Sequence, residues 1–379
     1  MAIPVSELNL EKAVYYHYDK FPPQNIDYSK LVTPLAKATA AISRFDQMMK
    51  GMHNSEFLIA PLRNQEAIIS SRMEGTVSTM DEILRYEADN KEGMEENSSN
   101  ARQEVVETIM YQRALKIAQK EVEAGKPISE WLVRSMHGKL LSFGRGAEKS
   151  PGQYKTEQNY VVDKTKRNVL FVPVSQEKLN DGMQELIKYI TTGEEEILIR
   201  TAIAHIEFEA LHPFKDGNGR VGRMIITLMM WAAGVISAPH FYISAYLEEH
   251  KDQYIDSMKS VSEKDTWTAW CVFFLEALEA QAIRNLCIAE NIRKLYEEMK
   301  PVFGKILGTR WHITALDFIF TNPYFRNNNF TNSSGIPEST AARFTRALLA
   351  NGLLKTLEES SGRRPAMYVF EPLLKVVRV

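Results

Sequence analysis

Cysteine is nearly absent. Cys271 and Cys287 are the only two in 379 residues, which excludes a disulfide framework as the source of stability. Both fall in segments with helical spacing and read as core residues. Net charge is lacking too: 46 basic against 48 acidic side chains leave −2, so no global field draws the chain to nucleic acid or a membrane surface. The longest apolar run, Met224 to Pro239, is broken by Gly234 and Ser237 and is shorter than the roughly 20 residues a membrane span needs. No membrane partner is therefore expected. The first residues carry no basic stretch followed by an apolar one, so no signal peptide is expected and the expected location is cytoplasmic. Internal repeats and the His-Glu-x-x-His pattern are absent. A chain of this length implies two or three domains and a sizeable core.

What is present concentrates in residues 212–223, His-Pro-Phe-Lys-Asp-Gly-Asn-Gly-Arg-Val-Gly-Arg. Upstream, Ile199, Ala202, Ile203, Ile206 and Ala210 share one helical stripe; downstream, Met224, Ile225, Leu228, Met229 and Trp231 form another. Pro213 and the two glycines interrupt helix between them. The dozen is thus a loop feeding a helix N-terminus, where unpaired N–H groups and the helix dipole attract anions. Gly217 and Gly219 let a phosphate approach the backbone closely, and Arg220 and Arg223 add forked, permanently charged donors. Asp216 is a hard oxygen ligand of the kind Mg²⁺ takes beside substrate phosphates. His212, with an ordinary pKa of about 6.5, can accept a proton near neutrality. Three other readings compete. Gly217 to Gly222 satisfies the dinucleotide pattern G-x-G-x-x-G, but a helix precedes it and the first downstream acid is Glu248. His205, Glu209 and His212 could share a metal-binding face, and the glycines could serve only as a helix cap.

The string resembles the signature of the Fic family, His-x-Phe-x-Asp/Glu-Gly-Asn-Gly-Arg-x-x-Arg, at every fixed position. That resemblance implies a mainly α fold, a Fic-type helical core with a short β-hairpin flap. It also implies transfer of AMP from ATP to a Ser, Thr or Tyr hydroxyl, with ATP and Mg²⁺ required. On this reading His212 deprotonates the hydroxyl, and Asp216 holds Mg²⁺ between the α- and β-phosphates. Asn218 and the amides of Gly217 and Gly219 cradle the phosphates, and Phe214 anchors the loop. Arg220 and Arg223 neutralise the β- and γ-phosphates, with Val221 and Gly222 completing the ATP-binding turn. Tyr254 is expected at the adenine pocket and Val161 at the nucleotide from the flap side. The family's Doc-type kinases carry Lys in place of the second glycine, so Gly219 argues against that variant.

Two further segments extend the resemblance. Ser70-Ser71-Arg72-Met73-Glu74-Gly75 looks like the inhibitory signature Ser/Thr-x-x-x-Glu-Gly/Asn, with Ser70 and Glu74 at its fixed positions. In the family that Glu pairs with the second motif arginine, here Arg223, and denies it to the γ-phosphate. An ordinary surface helix closed by Gly75 is the alternative. Asn159, Tyr160, Val161 and Val162 form a β-prone run, and Val169 to Pro173 a second, around the polar stretch Asp163 to Asn168. This matches the family's target-docking flap, whose strand edge would hold a target segment by β-augmentation. Two departures stand out: Lys155 where the family often has Arg, and Val174 where a second Pro is common.

Helices are expected from Thr33 to Met49, Asn64 to Met73, Thr79 to Tyr86, Ala101 to Ala124, Ser129 to Leu141, His250 to Val261 and Trp267 to Met299. Thr33 before Pro34 reads as an N-cap, Thr79 with Glu82 as a capping box, and Ser129 as a third cap. The polar run Glu87 to Asn100 reads as a solvated loop. Residues 300–379 carry +6 and residues 1–299 carry −8, a charge asymmetry that marks a domain. The expected division is 1–100, an N-terminal helical region with the inhibitory helix at about 64–74; 101–299, the Fic core; and 300–379. In the last, helices at Trp311 to Thr321, after Phe330 and from Pro337 to Leu349 precede strands Leu353 to Leu357 and Ala366 to Phe370. This resembles a winged helix-turn-helix, with Arg343 and Arg346 on the recognition helix and Arg363 and Arg364 in the wing, placed to contact DNA. A protein-interaction module is the alternative.

Two function classes follow. One is a protein adenylyltransferase, autoinhibited by Glu74, whose partners are ATP, a target protein with an acceptor hydroxyl, the chain itself and a second copy in a homodimer. The other is a DNA-binding regulator using the Fic core as a nucleotide sensor. A Fic-type phosphotransferase or de-AMPylase is a variant of the first, and the intact His212 favours the enzyme.

Overall fold

Helix predominates because apolar residues recur at three- and four-residue intervals, with glycine and proline confined largely to the breaks. The computed structural model describes residues 8–51, 56–90, 102–163, 165 and 167–378. In chain order the first helices are α1 (Tyr28–Lys50), α2 (Glu56–Met73), α3 (Met80–Asp89), α4 (Gln103–Glu123) and α5 (Glu130–Leu140). They are followed by α6 (Gln176–Thr192), α7 (Ile197–Leu211), α8 (Asn218–Ala232), α9 (Ser244–Glu249), α10 (Lys251–Lys264) and α11 (Trp267–Leu307). The last are α12 (His312–Thr321), α13 (Asn327–Ser333), α14 (Glu338–Ala350) and α15 (Glu371–Val377). Strands β1 (Val14–Tyr15), β2 (Val161–Val162) and β3 (Val169–Val172) form one sheet; β4 (Tyr324–Arg326), β5 (Lys355–Glu358) and β6 (Met367–Val369) form another. Two compact units emerge, Met1–Arg44 with Ile69–Gly75 and Met110–Ile283, and Phe45–Ile68 with Thr76–Ile109 and Arg284–Val379. The expected boundary after Met299 falls inside α11.

The first unit is built on α7 and α8. Apolar residues surround α7, and Leu198, Ile199, Ala202, Ile203, Ala204, Ile206, Phe208, Ala210 and Leu211 are all buried, as a helix at the centre of a bundle requires. Trp270 of α11 donates from Nε1 to the Ala202 carbonyl at 2.7 Å, satisfying its one polar atom in the core. Ser129 caps α5 as expected, its hydroxyl accepting from the Leu132 amide. The expected hairpin is present: β2 and β3 pair antiparallel. A third strand was not legible, since β1 is only two residues long and joins β3 in parallel, Val14 opposite Phe171. Its neighbours anchor it to α7, where Glu207 accepts from the Tyr16 hydroxyl at 2.6 Å and meets His17 Nε2 at 2.8 Å.

In the second unit the Thr79–Glu82 capping box opens α3 as expected. Phe57, Tyr296 and Phe320 cluster in its core, Phe57 and Tyr296 stacked nearly parallel at 4.7 Å and Phe320 edge-on to both. Helices α12, α13 and α14 precede the β5–β6 pair, and β4 completes an antiparallel sheet of order β4-β6-β5. Only the two strands flanking Ser360-Ser361-Gly362 are expected from the sequence; β4 is an addition.

Several boundaries need correction. Helix α1 starts at Tyr28 rather than at Thr33, because the Asp27 carboxylate accepts from the Ser29 amide and supplies the cap a turn earlier; Pro34 lies inside the helix. Helix α2 begins at Glu56 and carries Pro61 within it. Helix α3 continues to Asp89, so Glu87 is helical, while residues 91–100 of the expected loop lie outside the described residues. Helix α11 passes Met299 and Pro301, because Phe303 and Leu307 gain burial in the second unit. Cys271 is buried as expected but Cys287 is exposed, and both are free thiols.

Candidate active site

At the end of α7 the chain turns sharply. His212 closes the helix in the left-handed region, φ 46 and ψ 60, its amide donating to the Phe208 carbonyl, and Pro213 prevents further helix. The ring Nδ1 lies 3.3 Å from the Glu209 carbonyl oxygen. A carbonyl only accepts, so Nδ1 carries the proton and the lone pair is on Nε2. Burial drives the His212 pKa down to about 4, and the charge of Lys155 adds to this; the Glu209 carbonyl, Glu74 and Asp216 oppose it. The imidazole is therefore neutral at neutral pH, the form a base needs.

The loop after His212 is braced from outside. The Lys155 amide donates to the Pro213 carbonyl at 2.8 Å, and its ammonium to the Leu211 carbonyl at 3.1 Å and Asn159 Oδ1 at 2.8 Å. Asn159 Nδ2 donates to the carbonyls of His212 and Phe214 at 3.0 and 3.1 Å. Asn218 is 2 % exposed and uses both ends of its side chain on Phe214, accepting from the amide at 2.9 Å and donating to the carbonyl at 2.8 Å. The resemblance assigned that side chain to the phosphates; here it stiffens the loop that would carry them. His137 of α5 stacks on Phe214 with centroids 3.7 Å apart. Its Nδ1 accepts from the Gly152 amide, so Nε2 bears the proton and donates to the Asp216 carbonyl at 2.9 Å.

Gly217, at φ +79, turns the backbone into α8, whose first amides have no acceptor within the helix. Arg220 Nη2 approaches Asp216 Oδ1 at 3.4 Å, while its Nε is buried without a hydrogen-bond partner. Arg223 is 3 % exposed. Its Nε donates to Ser70 Oγ at 2.8 Å, and its Nη2 to the Ser70 carbonyl and Glu74 Oε1, both at 2.9 Å. Partial burial works against the Glu74 charge, but Arg223, Arg220 and Lys251 outweigh it and hold the carboxyl below its usual range. A Cβ on Gly219 would collide with Glu74 Oε1, so this glycine is what lets the carboxylate reach Arg223. The end of α2 is pinned beside the site by the bidentate Arg72–Glu248 pair at 2.7 and 2.6 Å, and by Lys251 Nζ on the Met73 carbonyl at 2.9 Å.

The structure thus brings His212, Asp216, Gly217, Gly219, Arg220, Arg223, Ser70 and Glu74 together. Val221 and Gly222 face the core, and a Cβ on Gly222 would strike Glu209. Tyr254 is buried with its hydroxyl 2.8 Å from His205 Nε2. That contact occupies one ring nitrogen of His205, and among the described residues no three His, Cys, Asp or Glu side chains are grouped so as to hold a metal ion. Of the expected flap residues, Val161 and Val162 form β2, whereas Asn159 and Tyr160 precede it. Arg343 and Arg346 are exposed on α14 and Arg363 is exposed, but Arg364 pairs with Asp89 at 3.0 Å and Glu358 at 3.4 Å. Sequence reasoning missed His137 as a brace, recorded Lys155 only as a departure, and weighed Glu209 only as a metal ligand. Burial raises the Glu209 pKa to about 7, and its Oε1 has no partner. No local pattern marks His137, and Lys155 stands in the polar stretch Gln153 to Gln158, whereas Glu209 stands among the apolar residues of α7.

The residues present fit a nucleotide with Mg²⁺. The half-exposed Asp216 carboxylate, the unpartnered Arg220 Nε and the glycine-lined start of α8 form an anion cradle with a hard oxygen ligand at its edge.

Residues 32–120 match the model described as Fic/DOC family N-terminal, and residues 127–230 the model described as Fic/DOC family. The protein adenylyltransferase fic-1 of Caenorhabditis elegans is 30% identical over 105 residues, 27% of this chain and 19% of that protein. A probable protein adenylyltransferase of Aquifex aeolicus is 25% identical over 129 residues, 30% of this chain and 40% of the other. The matches therefore span about a fifth and two fifths of these relatives. Among solved structures, a Fic family protein from Desulfovibrio desulfuricans aligns with a TM-score of 0.59 at 16% identity, covering 92% of this chain and 98% of that one. The C. elegans Fic-1 fragment aligns at 0.52 and 18% identity, covering 70% and 75%.

Proposed function

The chain belongs to the Fic/DOC family, and from that premise we propose that it transfers AMP from ATP to a hydroxyl of a protein target, restrained by Glu74 on Arg223. One observation carries the reading: a neutral His212 whose Nε2 is free to accept a proton, beside a helix N-terminus lined by Gly217 and Gly219. In the reaction the target oxygen bonds to the α-phosphorus and the bond from that phosphorus to the bridging oxygen breaks. Pyrophosphate leaves, and the hydroxyl proton passes to His212 Nε2. Asp216 would hold Mg²⁺, which would supply charge neutralisation at the phosphates. The amides at the start of α8 and the Arg220 guanidinium orient the polyphosphate. The β2 edge is suited to carry the target segment through backbone hydrogen bonds, so selectivity rests on the segment's shape more than on its side chains.

The reading is tested with ATP labelled separately at the α- and γ-phosphates. Label from the α-position is expected in protein and pyrophosphate in solution, because Gly219 leaves the cradle clear for a phosphate tail. Transfer of the γ-label alone would make this a kinase-like member instead. Asp216→Asn is expected to raise the Mg²⁺ concentration needed for half-maximal transfer by about tenfold, since it removes the ligand's formal charge. A Mg²⁺ titration that superimposes on wild type would sink that role.

A further inference from the structure

Each of the four carbonyls from Leu211 to Phe214 accepts from Lys155 or Asn159, two residues of the segment that precedes the hairpin, and that of Phe214 accepts from Asn218 as well. We propose that Lys155 and Asn159 are positioning residues for His212, fixing its left-handed turn and ring orientation without touching substrate. Only the kinetic part of the test rests on the adenylyltransfer reading.

The turn itself calls for such a device. A non-glycine residue at φ 46 is in a sparsely populated region and stays there only when its surroundings over-determine it. The Lys155 side chain is an unusual way to do so, being 4 % exposed and having only two neutral amide oxygens as acceptors, with no carboxylate in contact among the described residues. Burying a cation without a counter-ion is costly, and burial lowers the Lys155 pKa to about 7. An apolar residue would fill the space at less cost but would leave the Leu211 carbonyl and Asn159 Oδ1 unpaired. Asn159, oriented by Lys155, then turns its two N–H bonds onto the carbonyls on either side of Pro213. The charge has a second consequence. Around His212 stand Lys155, which disfavours its protonation, and Glu74 and Asp216, which favour it. Without Lys155 the carboxylates act unopposed and His212 becomes a poorer base at neutral pH.

The test uses the full chain with ¹⁵N-labelled histidine, the His212 signal being assigned by its loss in His212→Ala. Lys155→Met keeps the apolar stem but removes donors and charge, Lys155→Arg keeps both, and Asn159→Ala removes only the carboxamide. Lys155→Met is expected to raise the His212 pKa by about one unit or more. It should also lower kcat about 10- to 100-fold while KM for ATP changes less than about threefold. Asn159→Ala is expected to lose kcat to a similar extent and to mix the ring tautomers, and the double variant should be no worse than the poorer single one. Lys155→Arg should restore most of kcat and keep the low His212 pKa. A wild-type His212 titration and tautomer in both Lys155→Met and Asn159→Ala overturns the proposal, whatever happens to the rate. If wild type transfers no α-label, the adenylyltransfer reading fails, and the histidine spectra still decide this one. Should Lys155→Met not fold, Asn159→Ala, a change at a partly exposed position of the same segment, decides the proposal by itself.

Discussion

His212→Ala is expected to bind ATP with wild-type affinity while its transfer rate falls by about 10²- to 10⁴-fold. The two properties separate because different atoms carry them. On the proposed reading the phosphate cradle is the start of α8 with Arg220 and Arg223, and the loop is shaped by Asn218, Asn159 and Lys155, none of which depends on the imidazole. Proton abstraction depends on it alone, through an Nε2 left basic by the Nδ1 contact with the Glu209 carbonyl. Because burial holds the His212 pKa near about 4, the base stays unprotonated, and the wild-type rate should be nearly level from pH 7 to pH 5 before falling. Incorporation of α-label measures the rate and calorimetry the affinity. Undiminished labelling by the alanine variant would remove His212 as the base.

Glu74→Gly is expected to raise self-labelling at least about tenfold, the largest gain any single change should give. Arg223 is buried and already has Ser70 as a partner, so removing the Glu74 carboxylate frees one edge of the guanidinium rather than the whole side chain. That edge then becomes available to the γ-phosphate, and the α-phosphate can align with the incoming hydroxyl. An ordinary helix-terminal Glu would behave differently: its replacement by Gly would cost at most about 1 kcal/mol of stability and bring no gain. The gain must also require its partner, so adding Arg223→Ala to Glu74→Gly should cancel it. Equal self-labelling by Glu74→Gly and wild type over a range of ATP concentrations would end the autoinhibition reading and leave the family assignment untouched.

How much was legible varies by element. The α7 and α8 stripes were clear because a helix buried all round still shows apolar three-and-four spacing, and the interrupting Pro213 and glycines located the loop between them. The caps at Thr79 and Ser129 were read correctly because a cap is a local contact within three or four residues. The start of α1 was missed because Pro34 was taken as the first helical position, whereas Pro34, like Pro61 in α2, lies inside a helix. Strand β1 was invisible: two residues have no periodicity, and its pairing depends on Phe171 and Val172, which lie far along the chain.

For the site the division follows sequence distance. Residues 212–223 by themselves supplied the candidate base, the candidate acidic ligand, the candidate anion cradle and the arginines, because all these groups lie within one loop and its following helix turn. Only the tertiary structure decided what holds them in working order. It set Asn218 against Phe214, placed His137 on the Asp216 carbonyl, and brought Lys155 and Asn159 under the carbonyls of 211–214. It also set Glu74 against an arginine 149 residues away. The physical reason is that a pKa, a left-handed turn or an ion pair depends on which groups surround a buried atom, and burial gathers those groups from segments that no local pattern connects.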